Sequence, residues 1–177
     1  MASLEPRVWR NKHLKLETKL LVYRTLVLPV LLYNCEAWTL LGADLAKLDA
    51  FDSRCLRRIL NIHWSDRVTN VVVRQRAGQE PVSRTIRRRR LRLFGHIARL
   101  PSNTPAYRIL DELILRPRFD GSWSRPPGGV RLVWLDGIRA DILPHSLITV
   151  WKRTTRDRVA WHGFVSRKMG DATVVGD

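Results

Sequence analysis

Residues 81–101 read PVSRTIRRRRLRLFGHIARLP, and this stretch predicts one long helix. Pro81 suits the first turn of a helix, and Pro101 marks its end because proline cannot continue the hydrogen-bonding pattern. Four apolar residues recur at helical spacing on one side: Val82, Ile86, Leu93 and Ile97. Leu91 and Phe94 point away from that stripe, so we expect the helix to contact a second layer as well.

The same helix is the most basic part of the chain. From Pro81 to Leu110 there are eight arginines and no acidic residue. Arg84, Arg88, Arg92 and Arg99 cluster opposite the apolar stripe, Arg87 and Arg89 flank them, and Arg90 lies nearer the stripe. The helix therefore combines an apolar side with a side of uniform positive charge.

Two interpretations of this arginine cluster are open. Most runs of charge are simply solvated surfaces. Solvated helices, however, usually mix charges of both signs and gain favourable pairs four residues apart. Here like charges repel one another, and a phosphate backbone relieves that repulsion because guanidinium groups bind phosphate oxygens bidentately. We therefore predict that seven arginines contact nucleic acid: Arg84, Arg87, Arg88, Arg89, Arg90, Arg92 and Arg99.

Residues 44–62 predict a second amphipathic helix. Its apolar face gathers Leu45, Leu48, Phe51, Cys55, Leu56, Ile59 and Ile62. Four residues off that face form a secondary basic face: Lys47, Arg54, Arg57 and Arg58. We also expect a helix over residues 11–28, with a kink or restart at Pro29, and a short helix over residues 70–77 that ends at Gly78.

The composition of the chain changes after Pro101, where proline and glycine become frequent. We expect an all-α fold with three parts: a compact basic helical domain over residues 1–100, a linker or extended arm over 101–130, and a helical C-terminal segment over 131–177. Within the last part, residues 131–142 and 146–165 each predict a helix.

The chain has seven tryptophans. Trp38, Trp64, Trp134, Trp151 and Trp161 lie in or beside apolar segments, which predicts core packing. Trp123 lies in the glycine- and proline-rich arm and is the candidate for stacking on a base.

The composition supports a polyanionic partner. The 177 residues include 32 Lys and Arg against 16 Asp and Glu, a net charge of +16. An excess of this size favours RNA or DNA as the partner. No apolar run is long enough to span a bilayer, and the N-terminus lacks a signal-peptide pattern, so we expect an intracellular protein without membrane contact. Cys35 and Cys55 have no zinc-site spacing and are expected to be core thiols.

Catalytic patterns are missing from the sequence. Its carboxylates are scattered, whereas metal-dependent polymerisation or phosphodiester cleavage needs them clustered. No glycine-rich phosphate loop is present, and the five histidines are dispersed. We therefore expect no catalytic residue, no metal site and no cofactor in this chain.

Five segments resemble, in order, the region that follows the catalytic palm in LINE-type (non-LTR) retrotransposon reverse transcriptases. They are residues 32–40 (LYNCEAWTL), 56–70 (LRRILNIHWSDRVTN), 88–96 (RRRLRLFGH), 134–142 (WLDGIRADI) and 156–161 (RDRVAW). Each segment alone is a weak signal, but five in the family's order cover nearly the whole chain. Asn34 stands where the family usually has glycine, and Leu93 stands where tryptophan is common.

The resemblance implies a thumb-like helical bundle and the segment after it, which grip the template–primer duplex of an RNA-directed DNA polymerase. The palm, with its catalytic aspartates and Mg²⁺, and the endonuclease precede this region in the family, so no catalytic residue carries over. A nuclear location follows from the family and the charge. The implied partners are RNA or DNA, chiefly through the duplex backbone, together with the palm or a second copy of the chain.

Two other functions remain open from the sequence. The chain can be a co-opted, stand-alone nucleic-acid-binding or protein-assembly module, in which apolar surface that once met the palm serves a partner. It can also be a translated fossil without a selected role. A cooperative melt would argue against the fossil.

Overall fold

The computed structural model describes residues 8–115 and 133–170, and within these ranges every regular element is helical. The predicted all-α fold is confirmed. The α-helices are α1 (Leu16–Val22), α2 (Leu28–Leu31), α3 (Gly42–Ile59), α4 (Asn70–Ala77), α5 (Val82–Ala98), α6 (Pro105–Leu115), α7 (Trp134–Ile142), α8 (Leu147–Thr149) and α9 (Arg158–Met169). Two π-helical turns, Tyr23–Val27 and Val150–Thr154, follow α1 and α8, and two 3₁₀ turns span Cys35–Ala37 and Trp64–Asp66.

The chain divides into two compact units. Among the described residues, unit 1 comprises 8–35 and 40–86, and unit 2 comprises 36–39, 87–115 and 133–170. The division falls within α5, whereas the sequence pattern placed a boundary at residue 100. Proline and glycine signals mark where a helix ends, but they do not show which core each turn of a helix joins.

In unit 1, α3 packs against α1 and α4. The buried apolar residues come from every helix of the unit and from the segments between them: Trp9, Leu20, Tyr23, Leu28, Leu32, Cys35, Cys55, Leu56, Ile59, Val73, Ala77, Val82 and Ile86. Both cysteines are buried thiols that form no disulfide, as predicted. Gly78 ends α4 with a φ of 55°, in the left-handed region that glycine adopts without strain.

Polar side chains also hold unit 1 together. Asp49 of α3 accepts hydrogen bonds from the Ser83 amide (3.0 Å) and hydroxyl (2.6 Å), so it caps the start of α5. Arg24 donates to the carbonyl oxygens of Ala77 and Gly78 at the end of α4. The fully buried Asp52 accepts a 2.8 Å hydrogen bond from the Tyr23 hydroxyl. Burial raises the pKa of the Asp52 carboxyl, and this hydrogen bond opposes the shift.

The first helical segment continues past Pro29. A π-helical turn, Tyr23–Val27, leads directly into α2, in which Pro29 occupies the first turn, where its missing N–H leaves little unsatisfied. The helix type changes at Leu28, one residue before the proline, and no break at Pro29 itself is present. Asn34 follows with a φ of 53°. Asparagine tolerates this left-handed conformation and glycine favours it.

Unit 2 has an aromatic core. Phe94 of α5 lies among the rings of Trp151 (centroids 5.3 Å apart), Trp161 (6.0 Å) and Trp134 (6.3 Å). The indole N–H of each tryptophan has an acceptor: Asp111 Oδ1 for Trp151, the Leu91 carbonyl for Trp161 and the Glu36 carbonyl for Trp134. Core packing is confirmed for these three tryptophans, and the second layer expected for Leu91 and Phe94 is this core.

Two helical predictions in unit 2 are corrected. Residues 105–115, expected in the arm, form α6, and Leu110 and Ile114 join the core because its apolar residues recur at helical spacing. The helix expected over 146–165 is broken at Thr155–Asp157. Asp157 starts α9 by accepting hydrogen bonds from the Val159 and Ala160 amides. Residues 116–130 of the expected arm, including Trp123, lie outside the described residues.

Candidate nucleic-acid interface

The seven arginines predicted to bind nucleic acid have different surroundings. Arg84, Arg87 and Arg92 are exposed, whereas Arg88, Arg89 and Arg99 are half-buried. Arg87 already lies 3.7 Å from Asp141 Oδ1. Arg99 donates a 2.9 Å hydrogen bond to the Thr155 carbonyl, which fixes its direction. The helix face therefore presents arginines of unequal availability.

The prediction that Arg90 contacts nucleic acid is corrected. Its side chain is 4% exposed, and its Nε and Nη2 donate to Asp141 Oδ2, Nε at 3.0 Å. The space for its guanidinium comes from Gly137 of α7, where a Cβ would lie 2.6 Å from Arg90 Nη1. Arg90 follows Val82 and Ile86 at four-residue steps, so helical periodicity turns it inward, and Asp141 neutralises it there. Arg90 therefore stabilises unit 2 and is not part of a binding surface.

Unit 2 does bring other basic residues together, in a cleft between α5 and α9. The open cavity has a volume of about 710 Å³ and is lined by Arg92, His96, Arg99, Arg158, Trp161, His162 and Val165. We call these residues the α5/α9 cleft. Its five polar side chains are all arginine or histidine, and no carboxylate lines it.

Helical spacing explains how each wall is built. His96 lies four residues after Arg92, and Arg99 lies three residues after His96. The three side chains therefore lie on one side of α5 at its C-terminal end, where Arg99 directly follows the helix. On α9, His162 follows Arg158 by four residues. The floor is Trp161, which is 3% exposed and donates a 3.1 Å hydrogen bond to the Leu91 carbonyl of α5.

Glycine makes this close helix packing feasible. Gly95 lies opposite Trp161, and a Cβ at this position would fall 2.7 Å from Cε2 of the indole and closer still to Nε1 and Cδ1. The absence of a side chain at Gly95 lets the indole lie directly against the α5 backbone. The two basic walls are consequently fixed by packing and not by the long side chains themselves.

The cleft holds like charges close together. Partial burial lowers the pKa of the Arg99 guanidinium, and the nearby Arg158 lowers it further. An anion between these two guanidiniums would remove the repulsion and form charge-assisted hydrogen bonds. The electrostatics of the cleft therefore suit an anionic ligand.

A smaller cavity of about 390 Å³ shares two residues with this cleft. It is lined by Glu36, Arg89, Arg92, Leu93 and His96. The carboxylate of Glu36 makes this cavity less suited to an anion. Arg92 and His96 thus separate two basic depressions on unit 2, of which the α5/α9 cleft has the stronger positive character.

The secondary basic face of α3 is only partly available. Lys47 and Arg54 are exposed, and Lys47 lies 3.5 Å from Asp44 in a solvent-exposed ion pair. Arg57 has a structural task, because its Nη2 donates to the Val68 carbonyl and, at 3.0 Å, to Asn70 Oδ1. Arg58 is exposed.

Some residues of the candidate site were missed by sequence reasoning. Arg158 and His162 have the four-residue spacing of one helix face, but the partner helix that faces them is more than 50 residues away in the chain. Trp64 was predicted to be a core residue, and this is wrong: its side chain is 82% exposed. The 3₁₀ turn that carries it directs the ring outward, and apolar neighbours in sequence do not reveal such a turn.

Comparisons with protein-family models, with curated proteins and with solved structures give no match to this chain. Within residues 8–115 and 133–170, no helix is long and apolar enough to cross a membrane. The same described ranges contain no group of three or more His, Cys, Asp or Glu side chains arranged to hold a metal ion.

Proposed function

We propose that this chain is the non-catalytic C-terminal region of a LINE-type reverse transcriptase and that it binds the phosphate backbone of RNA or DNA. The observation that carries the proposal is the α5/α9 cleft, in which three arginines and two histidines converge without an acidic residue. Arg158 and His162 of α9 join Arg92, His96 and Arg99 of the arginine helix in one open cavity.

Phosphate is the ligand group that fits this chemistry best. Guanidinium groups offer forked donors that match phosphate oxygens, and histidine adds a further N–H donor. The net charge of +16 attracts a polyanion over a longer range than the cleft itself. Contacts of this kind fix the position of a nucleic acid without reading its sequence.

The family resemblance supports the same proposal. Residues 88–96 and 156–161 are two of the five segments that carry it, and they supply Arg92, His96, Arg158 and Trp161 to one cleft. The left-handed φ of Asn34 also gives a physical reason why glycine suits that position in the family. In the proposed role, the cleft holds the template–primer duplex while a separate palm, with its Mg²⁺, performs the chemistry.

Replacing two exposed arginines of the cleft tests the proposal. We expect Arg92→Gln/Arg158→Gln to weaken duplex binding and to lower the steepness of log affinity against log salt by about two, since each lost phosphate contact removes about 0.9. The measurement is fluorescence anisotropy of a labelled blunt duplex over a salt series. Both side chains are exposed, so the fold should persist.

The matched control is Lys152→Gln/Arg153→Gln. This pair removes the same charge from exposed positions of unit 2 that do not line the cleft. We expect it to retain most of the wild-type salt dependence. Equal losses in the two double variants would mean that only net charge matters, and the cleft would then have no role.

A further inference from the structure

Unit 1 has a basic cavity of its own, which the proposed duplex contact does not use. Its volume is about 900 Å³, and its basic side chains are Arg10, Lys12, Lys19, Arg57, Arg58 and His63. No carboxylate lines it. Lys19 and Arg57 are held in place, the first by donating a 2.9 Å hydrogen bond to the Trp9 carbonyl and the second by its bonds to Val68 and Asn70.

An exposed tryptophan stands directly after this cavity in the chain. Trp64 follows the lining residue His63, and its side chain is 82% exposed. The two rings have centroids 5.7 Å apart and planes tilted by 44°. Large apolar rings normally gain about 25 cal/mol per Å² by leaving water, so a ring left in solvent beside a cationic cavity is free to contact a ligand.

The turn that carries Trp64 is firmly built. Asp66 Oδ2 accepts a 2.8 Å hydrogen bond from the His63 amide, and the His63 ring bonds to the Ser65 hydroxyl at 2.9 Å. Arg67 follows in the left-handed region with a φ of 51°. The outward direction of Trp64 is therefore fixed by local bonds, and a ligand would meet a ring that is already in place.

A nucleic-acid base is a flat group that can stack on the Trp64 ring. The basic cavity beside the ring suits the phosphates of the same strand. Proteins that bind single strands combine a basic groove with aromatic side chains on which bases stack. In a duplex the base faces are covered by their neighbours, so only an unpaired strand can use both features.

We infer that unit 1 binds single-stranded nucleic acid, with a base stacked on Trp64 and the backbone phosphates in the cavity lined by Arg10, Lys12 and Arg58. This site uses residues of unit 1 alone and therefore does not depend on the α5/α9 cleft of unit 2. It adds a second form of ligand to the proposed function.

The test is the affinity of the full chain for a labelled single strand of 20 thymidines, measured by anisotropy. We expect Trp64→Ala to weaken binding about tenfold, within the range of stacking on one base. Trp64→Phe should keep most of the wild-type affinity, because it retains an aromatic ring. The matched control is Tyr33→Ala, which removes another exposed aromatic ring of unit 1 (80% exposed) that does not line the cavity. The control should bind as the wild type does.

Salt dependence separates stacking from a structural effect. Stacking releases no counterions, so Trp64→Ala should leave the salt slope unchanged. Lys12→Gln/Arg58→Gln should make the dependence of log affinity on log salt less steep by about 1.4, since each lost contact to a single strand removes about 0.7. Both side chains are exposed, and unfolding transitions matching the wild type confirm that the variants are folded.

Two results would overturn the inference. One is single-strand affinity in Trp64→Ala equal to that of Tyr33→Ala, which would leave the ring as a contact for another protein. The other is equal weakening of duplex and single-strand binding by Trp64→Ala. Neither result bears on the cleft of unit 2, whose own test uses the duplex and the Arg92/Arg158 pair.

Discussion

Gly95→Ala is expected to destabilise unit 2 by about 3 kcal/mol, because it adds a methyl group where packing leaves no room. The new Cβ would overlap the Trp161 indole, which is 3% exposed, lies against Phe94 and stacks on Phe164 with centroids 5.2 Å apart. The indole cannot move without also losing its hydrogen bond to Leu91. Urea unfolding followed by tryptophan fluorescence measures the loss.

Gly163→Ala is the matched control for Gly95→Ala. Gly163 also lies inside a helix, and a Cβ there would meet only the flexible end of Arg167, at 3.4 Å. Alanine should then stabilise the protein by about 0.5–1 kcal/mol through its higher helix propensity. If Gly95→Ala were equally harmless, α5 and α9 would not be in contact as described, and the cleft between them would not exist.

Asp141→Ala is expected to destabilise unit 2 by about 3–5 kcal/mol, because it leaves a buried guanidinium without its counter-charge. Arg90 is 4% exposed and has Asp141 as its ion-pair partner, whose own side chain is also 4% exposed. Burial raises the pKa of the Asp141 carboxyl, whereas Arg90 and Arg87 oppose the shift. Thermal and urea unfolding at neutral pH measure the effect.

Two comparisons sharpen this second test. Arg139→Ala breaks an ion pair with Asp136 that is solvent-exposed (42% and 32%), so it should cost less than about 1 kcal/mol. Arg90→Met/Asp141→Leu removes both buried charges and should recover most of the stability lost in Asp141→Ala. An Asp141→Ala variant as stable as the wild type would mean that Arg90 reaches solvent and remains available for nucleic acid.

Helix positions could be predicted where local signals are strong. The bounds of α4 agree with the structure because Gly78 terminates it, and α5 agrees within two residues at each end because Pro81 and Pro101 flank it. The break before α9 was missed, since its cause is the Asp157 cap inside a sequence that is otherwise periodic. Local patterns thus locate helices better than they locate interruptions.

The residues of the candidate site were harder to predict, because charge on a helix does not show what lies opposite. Arg92 and Arg99 do face an open cleft, but Arg90 is neutralised by Asp141, which is 51 residues further along the chain. Arg158 and His162 matter only because Gly95 and Trp161 bring α9 onto α5. These are tertiary contacts, and a single sequence without its fold does not reveal them.

The exposure of Trp64 was also hard to predict, although its cause lies in neighbouring residues. Its neighbours Ile59 and Ile62 are apolar, so core packing was the reasonable prediction from sequence. The hydrogen bonds of His63, Ser65 and Asp66 instead build a turn that points the ring outward. Three polar residues around an aromatic one are therefore a signal that can identify such exposed rings.

Arginine footprinting on the full chain tests the α5/α9 cleft as a nucleic-acid site most directly. An arginine-specific dicarbonyl reagent is applied with and without a bound duplex, and modification at each arginine is read by mass spectrometry. We predict that the duplex slows modification of Arg92 and Arg158 and leaves Arg153 of the same unit reactive. Equal reactivity of Arg92, Arg158 and Arg153 in the bound and free protein would contradict the proposed function.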